Sequence, residues 1–237
     1  MDGVRGLGRQ LGAAGAYLLD VALPSQCAGC GREGDPLCAD CAPALDVRLH
    51  LPPGVPVGLP GDVPAPLAQV EWCCSFTGVA RRALHKLKYA GDRRIAVPLG
   101  RAVAKRWARA GVGGDVLVPV PASRDRVTER GYDQAVLIAR EAGRQLGLPI
   151  LEDLLERSRT TAAQFDLDRP SRAGNVADAF RIRDGARLPT GSGPDGSPWI
   201  VLVDDVMTTG STLAACAWPL MAVGALAVSS ITLARER

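Results

Sequence analysis

The sequence predicts an α/β protein built on a doubly wound parallel sheet and preceded by a small cysteine-rich module. From residue 115 onward, predicted strands alternate with predicted helices, as in parallel sheets with helical crossovers. Residues 200–203 are four consecutive apolar residues, which is typical of a strand buried on both faces. The chain has 237 residues and is 47% hydrophobic, enough for one sizeable core and a small additional module.

Apolar periodicity and the positions of glycine and proline predict the individual elements. The segment 48–70 contains six prolines and no helical pattern, so it is predicted to be an extended linker. It separates the module, residues 1–47, from the main domain, residues 71–237. The predicted strands are 70–76, 115–120, 150–155, 175–182, 200–203 and 225–234; the helices are 1–24, 79–88, 93–110, 131–147 and one after 212; the loops are 121–130, 157–173 and 185–198.

Four of the seven cysteines have the spacing of a zinc site. Two Cys-x-x-Cys pairs separated by seven residues suit tetrahedral Zn²⁺, and the odd total argues against a disulfide framework. Four protein ligands leave no position for water, so the predicted zinc is structural. A vestigial or redox-active pair is the alternative. The predicted ligands are Cys27, Cys30, Cys38 and Cys41.

The segment that follows the strand 200–203 predicts an anion site. Asp204 and Asp205 stand at the carboxyl end of the strand, and a hydroxyl-rich glycine turn leads into a helix, whose free N–H groups attract anions. No lysine follows the turn, which excludes the ATP-binding P-loop pattern. A phosphate site beside two carboxylates suggests a phosphorylated sugar; an ordinary strand-to-helix turn with capping hydroxyls is the alternative. The turn residues are Thr208, Thr209, Gly210, Ser211 and Thr212.

Charge is unevenly distributed along the chain. The net charge is only +3, but the segment 79–110 holds ten Lys or Arg residues and one acid, Asp92. Three interpretations remain open: a solvated helix face, a basic wall near a polyphosphate ligand, or a single-stranded nucleic-acid track. An aromatic content of 4% weakens interpretations based on base stacking.

No apolar run approaches the ~20 residues that span a bilayer, so we expect no membrane insertion. Arg5 and Arg9 precede an apolar stretch that Asp20 interrupts. We therefore interpret the first 24 residues as an amphipathic helix that packs onto the protein, and expect a cytoplasmic location.

The string 201–213 closely resembles the 5-phosphoribosyl-1-pyrophosphate (PRPP) signature of type I phosphoribosyltransferases. Further motifs narrow the resemblance to the ComF/GntX family of phosphoribosyltransferase-like proteins, and together they cover nearly the whole chain. The matching segments are 18–30, 87–89, 118–121 and Arg126 with 130–134; the family's mobile-loop pattern fits Arg157, Arg159, Thr160, Gln164, Arg172, Asn175, Ala179 and Phe180.

The resemblance implies a role for each site residue. Asp204 and Asp205 would contact the ribose hydroxyls, and Thr208 to Thr212 would hold the 5-phosphate. The rest of the cofactor-binding set would be Val206 and Met207 in the signature, and Pro121, Ala122 and Ser123 in the pyrophosphate loop. Catalysis would use the acidic pair together with Arg126, Arg130, Arg157 and Arg159. The family also implies hood elements at 71–110 and a core at 115–237.

Two positions depart from the family pattern. Asp133 stands where the family more often has Asn, and Ser123 where many members carry His. A carboxylate beside a pyrophosphate would repel it unless the carboxylate holds Mg²⁺ or faces an arginine such as Arg130.

The resemblance implies a PRPP-binding protein that transfers phosphoribosyl to or from a nucleobase-like acceptor with Mg²⁺. The alternative is a non-catalytic accessory protein of competence and DNA uptake that binds PRPP and single-stranded DNA. In that case, competence-machinery proteins are candidate partners, and the basic segment and the zinc module would carry the interaction.

Overall fold

The computed structural model describes residues 25–52, 63–158 and 179–236. The predicted leading helix of residues 1–24 lies outside the described residues. So do residues 53–62 of the predicted linker and most of the predicted mobile-loop pattern, including Arg159.

The described chain forms a zinc-type module and a parallel α/β domain. In the module, strands β1 and β2 pair antiparallel and a short 3-10 helix, Ala42–Leu45, follows. The elements are β1 Ser25–Gln26, β2 Glu33–Gly34, β3 Gln69–Ser75, α1 Gly78–Tyr89, α2 Ala96–Ala110, β4 Val116–Pro119, α3 Arg124–Arg130, α4 Gln134–Leu146, β5 Leu155–Arg157, β6 Phe180–Ile182, β7 Trp199–Met207, α5 Ser211–Ala222 and β8 Ala227–Arg235.

The central sheet has the strand order β3-β8-β7-β4, and every pair in it is parallel. Side chains of β7 alternate between two cores, as the geometry of a strand requires. Val201 and Val203 belong to the core that contains residues of α2 and α4, whereas Ile200 and Leu202 belong to the core that contains residues of α5. Helices therefore cover both faces of the sheet, which confirms the predicted doubly wound fold.

Two element predictions were wrong. The predicted loop 121–130 contains helix α3, which buries none of its residues and so lacks the apolar periodicity that identifies a helix in sequence. In the predicted strand 150–155, Ile150 makes only a parallel bridge to Leu117. The strand β5 begins instead at Leu155 and pairs antiparallel with β6 in a separate two-stranded sheet, a partner choice that sequence periodicity does not reveal.

The cysteine module is continuous with the core beside α1. Cys27, Leu37 and Leu45 are buried in the same hydrophobic cluster as Leu84 and Leu87 of that helix. No helix of the described ranges combines the length and the apolar character that a membrane crossing requires.

A buried ion pair anchors residues 48–52 to helix α2. Arg106 donates from Nε and Nη2 to Glu71 Oε2, at 3.0 and 2.7 Å, and from Nη1 to the carbonyls of Arg48 and Leu51 at 2.6 and 2.9 Å. Glu71 and Arg106 are 0% and 1% exposed. Both side chains are almost completely removed from water, so their hydrogen bonds must offset the cost of desolvating two charges.

Candidate functional site

A cavity of about 370 Å³ opens at the carboxyl ends of β4 and β7, the edge where parallel α/β sheets place their ligands. The end of β7 supplies the acidic pair, and the loops after β4 and β7 form opposite walls. Of the predicted site residues, those lining it are Pro121, Ala122, Arg126, Arg130, Arg157, Asp204, Asp205, Val206, Met207, Thr208, Gly210, Ser211 and Thr212.

Two predicted residues lie outside the wall and one lies outside the described chain. Ser123 and Thr209 are not among the lining residues. Thr209 Oγ1 instead lies 3.2 Å from Ser211 Oγ, within the turn. Arg159 is outside the described residues.

The glycine turn presents the amino terminus of α5 to the cavity. Gly210 has a φ of 84°, a left-handed conformation that a side chain disfavours, and it directly precedes the first residue of α5. The hydroxyls of Thr208, Ser211 and Thr212 line the cavity beside the free N–H groups of the helix. The turn therefore offers backbone and side-chain donors to one anionic group.

The two carboxylates of the acidic pair differ in environment. Asp205 Oδ2 lies 2.5 Å from Lys88 Nζ of α1, and the two side chains are 14% and 20% exposed. Asp204 accepts the backbone N–H of Asp205 at 2.7 Å. Desolvation, together with the charge of Asp205, holds the pKa of Asp204 well above its ordinary value. Asp205 thus has a cationic partner, whereas Asp204 bears a desolvation penalty.

Asp133 faces backbone amides. Its carboxylate accepts the N–H of Ala122 at 2.8 Å and the N–H of Ala135 at 2.9 Å, and so caps α4. Burial raises the pKa of Asp133, and the nearby Asp205 contributes. Arg130 Nη1 donates to Gln134 Oε1 at 2.8 Å, and no ion pair joins Arg130 to Asp133 within the described chain. Arginine therefore does not neutralise this carboxylate here.

Lys88 and Gln134 are among the cavity residues that received no role from the sequence. Both belong to motifs of the family resemblance, yet only the tertiary structure brings them into the cavity. Gln134 is 4% exposed. Its Nε2 and the Nε of Arg130 are buried without a hydrogen-bond partner among the described residues. Buried donors of this kind commonly mark a functional site.

The four predicted zinc ligands converge. Their sulfur atoms all lie within 4.8 Å of one another, with Cys27 Sγ to Cys38 Sγ at 3.5 Å and Cys30 Sγ to Cys38 Sγ at 3.8 Å. A tetrahedron with Zn–S bonds of ~2.3 Å has edges of about 3.8 Å, so the cluster fits a zinc ion. Burial opposes ionisation of Cys27, but N–H groups of Cys38, Cys30 and Gly29 outweigh it and lower its pKa to about 6.

Gly29 is required because Cys41, in the second Cys-x-x-Cys pair, approaches it closely. A Cβ at this position would lie 2.6 Å from Cys41 Cβ and overlap its sulfur. We expect Gly29→Ala to weaken zinc binding by about 10–100-fold, the range seen when groups that support metal ligands are changed. Competition with a chromophoric chelator measures this, and Glu33→Ala, on an exposed strand residue of the same module, should leave the affinity unchanged. Equal affinities for the two variants would contradict the expectation.

Most of the Lys and Arg residues in the segment 79–110 make contacts within the protein. Of these cations, only Arg81 and Arg109 are exposed and have no partner among the described residues. The other cations contact the cysteine module, acidic side chains or an aromatic ring. These pairs are Arg82 with Ala28 and Gly29, Lys86 with Gln26, Lys88 with Asp205, Arg93 with Tyr132, Arg94 with Asp92, Arg101 with Glu141, Lys105 with Asp46, and Arg106 with Glu71.

An acidic pair followed by a glycine turn without lysine, on a central strand of a parallel sheet, separates type I phosphoribosyltransferase-like proteins from P-loop nucleotide-binding proteins. The present chain is of the phosphoribosyltransferase-like class, and it carries an additional four-cysteine cluster near its amino terminus.

Comparison with known proteins narrows the class to a family. DNA utilization protein YhgH of Salmonella typhi is 31% identical over 213 residues, which cover 84% of this chain and 90% of that protein. Competence protein F of Haemophilus influenzae is 34% identical over 101 residues, 42% of this chain and 41% of that protein. The chain belongs to the ComF/GntX family, as its motifs predicted.

A solved glutamine PRPP amidotransferase from B. subtilis matches with a TM-score of 0.40 and 19% identity, over 60% of this chain and 27% of that one. No family model matches the chain.

Proposed function

We propose that this protein binds PRPP in the cavity at the end of β7 and transfers its phosphoribosyl group to or from a nucleobase-like acceptor. One observation carries the proposal: an acidic pair, a phosphate-type glycine turn and three arginines line a single cavity. The turn would hold the 5-phosphate, the acidic pair the ribose hydroxyls, and the loop after β4 the pyrophosphate.

The proposed reaction is a substitution at C1 of the ribose. A nitrogen of the acceptor forms a bond to C1 while the bond from C1 to the pyrophosphate oxygen breaks, and the electron pair of that bond leaves with pyrophosphate. Negative charge grows on the departing group, so fixed cations near it lower the barrier. Arg126, Arg130 and Arg157 line the cavity in positions to supply such charge.

Magnesium fits the residues present. Carboxylate oxygens and the oxygens of PRPP are the ligands that Mg²⁺ prefers, and Asp133, Asp204 and Asp205 all line the cavity. When bound, Mg²⁺ would neutralise charge on the pyrophosphate. It would also offset the repulsion between pyrophosphate and Asp133, a carboxylate that no arginine pairs with in the described chain.

Isothermal titration of the zinc-loaded protein with PRPP and Mg²⁺ tests the proposal. We expect saturable binding that the double variant Asp204→Asn/Asp205→Asn loses and that Asp195→Asn, an exposed acid remote from the cavity, retains. Binding by the wild type would then justify screening acceptors for release of pyrophosphate. Absence of binding at millimolar PRPP, or equal binding by the double variant, would refute the PRPP site.

A second candidate function is an accessory role in DNA utilization or competence without turnover. It is supported by the names of the relatives. Most cations of the segment 79–110 have partners within the protein, and Arg81 and Arg109 are the exposed cations of that segment without one among the described residues.

Fluorescence anisotropy with a single-stranded oligonucleotide tests the DNA role. The role predicts binding that weakens steeply with salt, by about 0.7 in log K per log unit of salt for each phosphate contact. Such binding should persist in the double Asp→Asn variant and weaken in Arg81→Glu/Arg109→Glu. No binding at low salt would exclude it.

A further inference from the structure

We propose that helix α1 couples the zinc module to the PRPP cavity, with Arg82 as a positioning residue that acts through the helix. Loss of the contact between Arg82 and the module would then weaken PRPP binding at a distance. The inference rests on the proposed PRPP site. It adds an influence of the zinc module on PRPP affinity that neither the fold nor the signature implies.

On one face, α1 is hydrogen-bonded to backbone carbonyls around the first Cys-x-x-Cys pair of the module. Arg82 donates from Nε to the carbonyl of Ala28 and from Nη2 to the carbonyl of Gly29, both at 2.9 Å. Lys86 donates from Nζ to the carbonyl of Gln26. Arg82 and Lys86 are four residues apart and so lie on the same side of the helix. Their three acceptors flank Cys27, a zinc ligand.

The carboxyl-terminal end of the same helix forms part of the cavity. Lys88 pairs with Asp205. The carbonyl of Leu87 accepts a hydrogen bond from the hydroxyl of Tyr132, which precedes Asp133. The guanidinium carbon of Arg130 lies 5.1 Å from the centre of the Tyr89 ring. Three consecutive residues of α1 therefore contact the acidic pair or the segment leading into α4.

The helix depends on tertiary contacts for its position: its apolar face is buried in the core, and the polar contacts above fix its two ends. It has 12 residues, a length that is marginal for an isolated helix in water. Thr77, at its amino terminus, makes no capping hydrogen bond through its side chain, and its first turn contains no acidic residue. Its stability must therefore come from tertiary contacts. Those on the module side are made to the carbonyls next to Cys27, which zinc bound to the four cysteines would hold in place.

Coupling of this kind is reciprocal. If the zinc-bound module favours the position of α1 in which Lys88 meets Asp205, then PRPP bound in the cavity must favour zinc binding by the same factor. A residue that merely stabilised the fold would not change PRPP affinity in protein that is already folded with zinc bound.

The decisive comparison is Arg82→Ala against Arg81→Ala, adjacent and equally exposed positions on α1, of which only Arg82 contacts the module. Arg81 is exposed and has no partner among the described residues. In zinc-loaded full-length protein we expect Arg82→Ala to weaken PRPP binding about 5–20-fold, within the usual range of allosteric coupling. Arg81→Ala should bind as the wild type does, and chelator titration should show PRPP raising zinc affinity in the wild type but not in Arg82→Ala.

A readout without PRPP separates this inference from the proposed function. Removal of zinc by a chelator should accelerate amide hydrogen exchange in residues 84–89 of the wild type. Lys86→Gln should show the same acceleration with zinc bound, which provides a second variant if Arg82→Ala does not fold. If the wild type does not bind PRPP, the proposed function fails while the exchange result still decides whether α1 responds to the module. Unchanged exchange, or equal PRPP affinity in Arg82→Ala and wild type, would overturn the coupling.

Discussion

Arg106→Ala is expected to lower the free energy of unfolding by about 3–5 kcal/mol, the usual effect of removing one partner of a buried ion pair. The loss arises mainly from what remains behind. Glu71 stays in the interior without the guanidinium that donates to it twice, and the carbonyls of Arg48 and Leu51 lose their donor. Denaturation in urea measures the change, since the midpoint falls while the slope is preserved.

Two controls give this result its meaning. Arg109→Ala removes an exposed arginine from the same helix and should change stability by less than about 0.5 kcal/mol. Arg106→Met combined with Glu71→Leu removes the buried carboxylate together with its main partner and should be more stable than Arg106→Ala. Arg48, which lies 3.7 Å from Glu71, then still donates to the carbonyl of Trp72 and contacts its ring. If Arg106→Ala were as stable as Arg109→Ala, the pair of Arg106 and Glu71 would not contribute to holding residues 48–52 in place.

Asp204→Asn is expected to abolish PRPP binding while raising the free energy of unfolding at neutral pH by about 0.5–2 kcal/mol, as replacements of strained functional residues often do. The amide can still accept the N–H of Asp205 but carries no charge in the desolvated end of β7. Asp205→Asn should instead destabilise the protein, because it leaves Lys88 without its carboxylate partner. Thermal unfolding of both variants measures the contrast, and equal shifts would contradict it.

The pH dependence follows from the raised pKa of Asp204. In the wild type the folded state holds this proton more tightly than the unfolded state does, so stability falls as pH rises from the ordinary value of 3.8 through the folded pKa. Asp204→Asn lacks this penalty. Its advantage should be absent below pH 3.8, grow across that window and remain constant above it. An advantage independent of pH would exclude desolvation of the carboxylate as its cause.

Several elements were predictable because their signals are local. The apolar residues 200–203 stand between the polar loop that ends at Pro198 and the acidic pair, and they lie in β7 as predicted. The spacing of Cys27, Cys30, Cys38 and Cys41 predicted a cluster that the structure assembles. Helix α3 has no such signal, because none of its residues is fully buried, so it carries no apolar stripe and its charged residues resemble a loop.

Local patterns predicted only the contiguous part of the candidate site. The family resemblance supplied the residues from other segments that line the same cavity, namely Pro121, Ala122, Arg126, Arg130 and Arg157. Asp204 to Thr212 are neighbours along the chain, so the strand and the turn alone bring most of them together. Lys88 and Gln134 come from other segments, and their places in the cavity depend on how α1 and α4 pack. Long-range contacts of this kind leave no periodic mark in a single sequence.

By itself, the sequence determined the class of sheet, the four-cysteine cluster and the glycine turn after β7, because each depends on residue types at short, fixed spacings. Only the tertiary structure decided which charges are available. It paired most of the basic segment inside the protein, left Asp133 on backbone amides, and joined Lys88 to Asp205. The physical reason is that a side chain's charge becomes functional or structural according to its burial and its partners, and both are set by packing between distant segments.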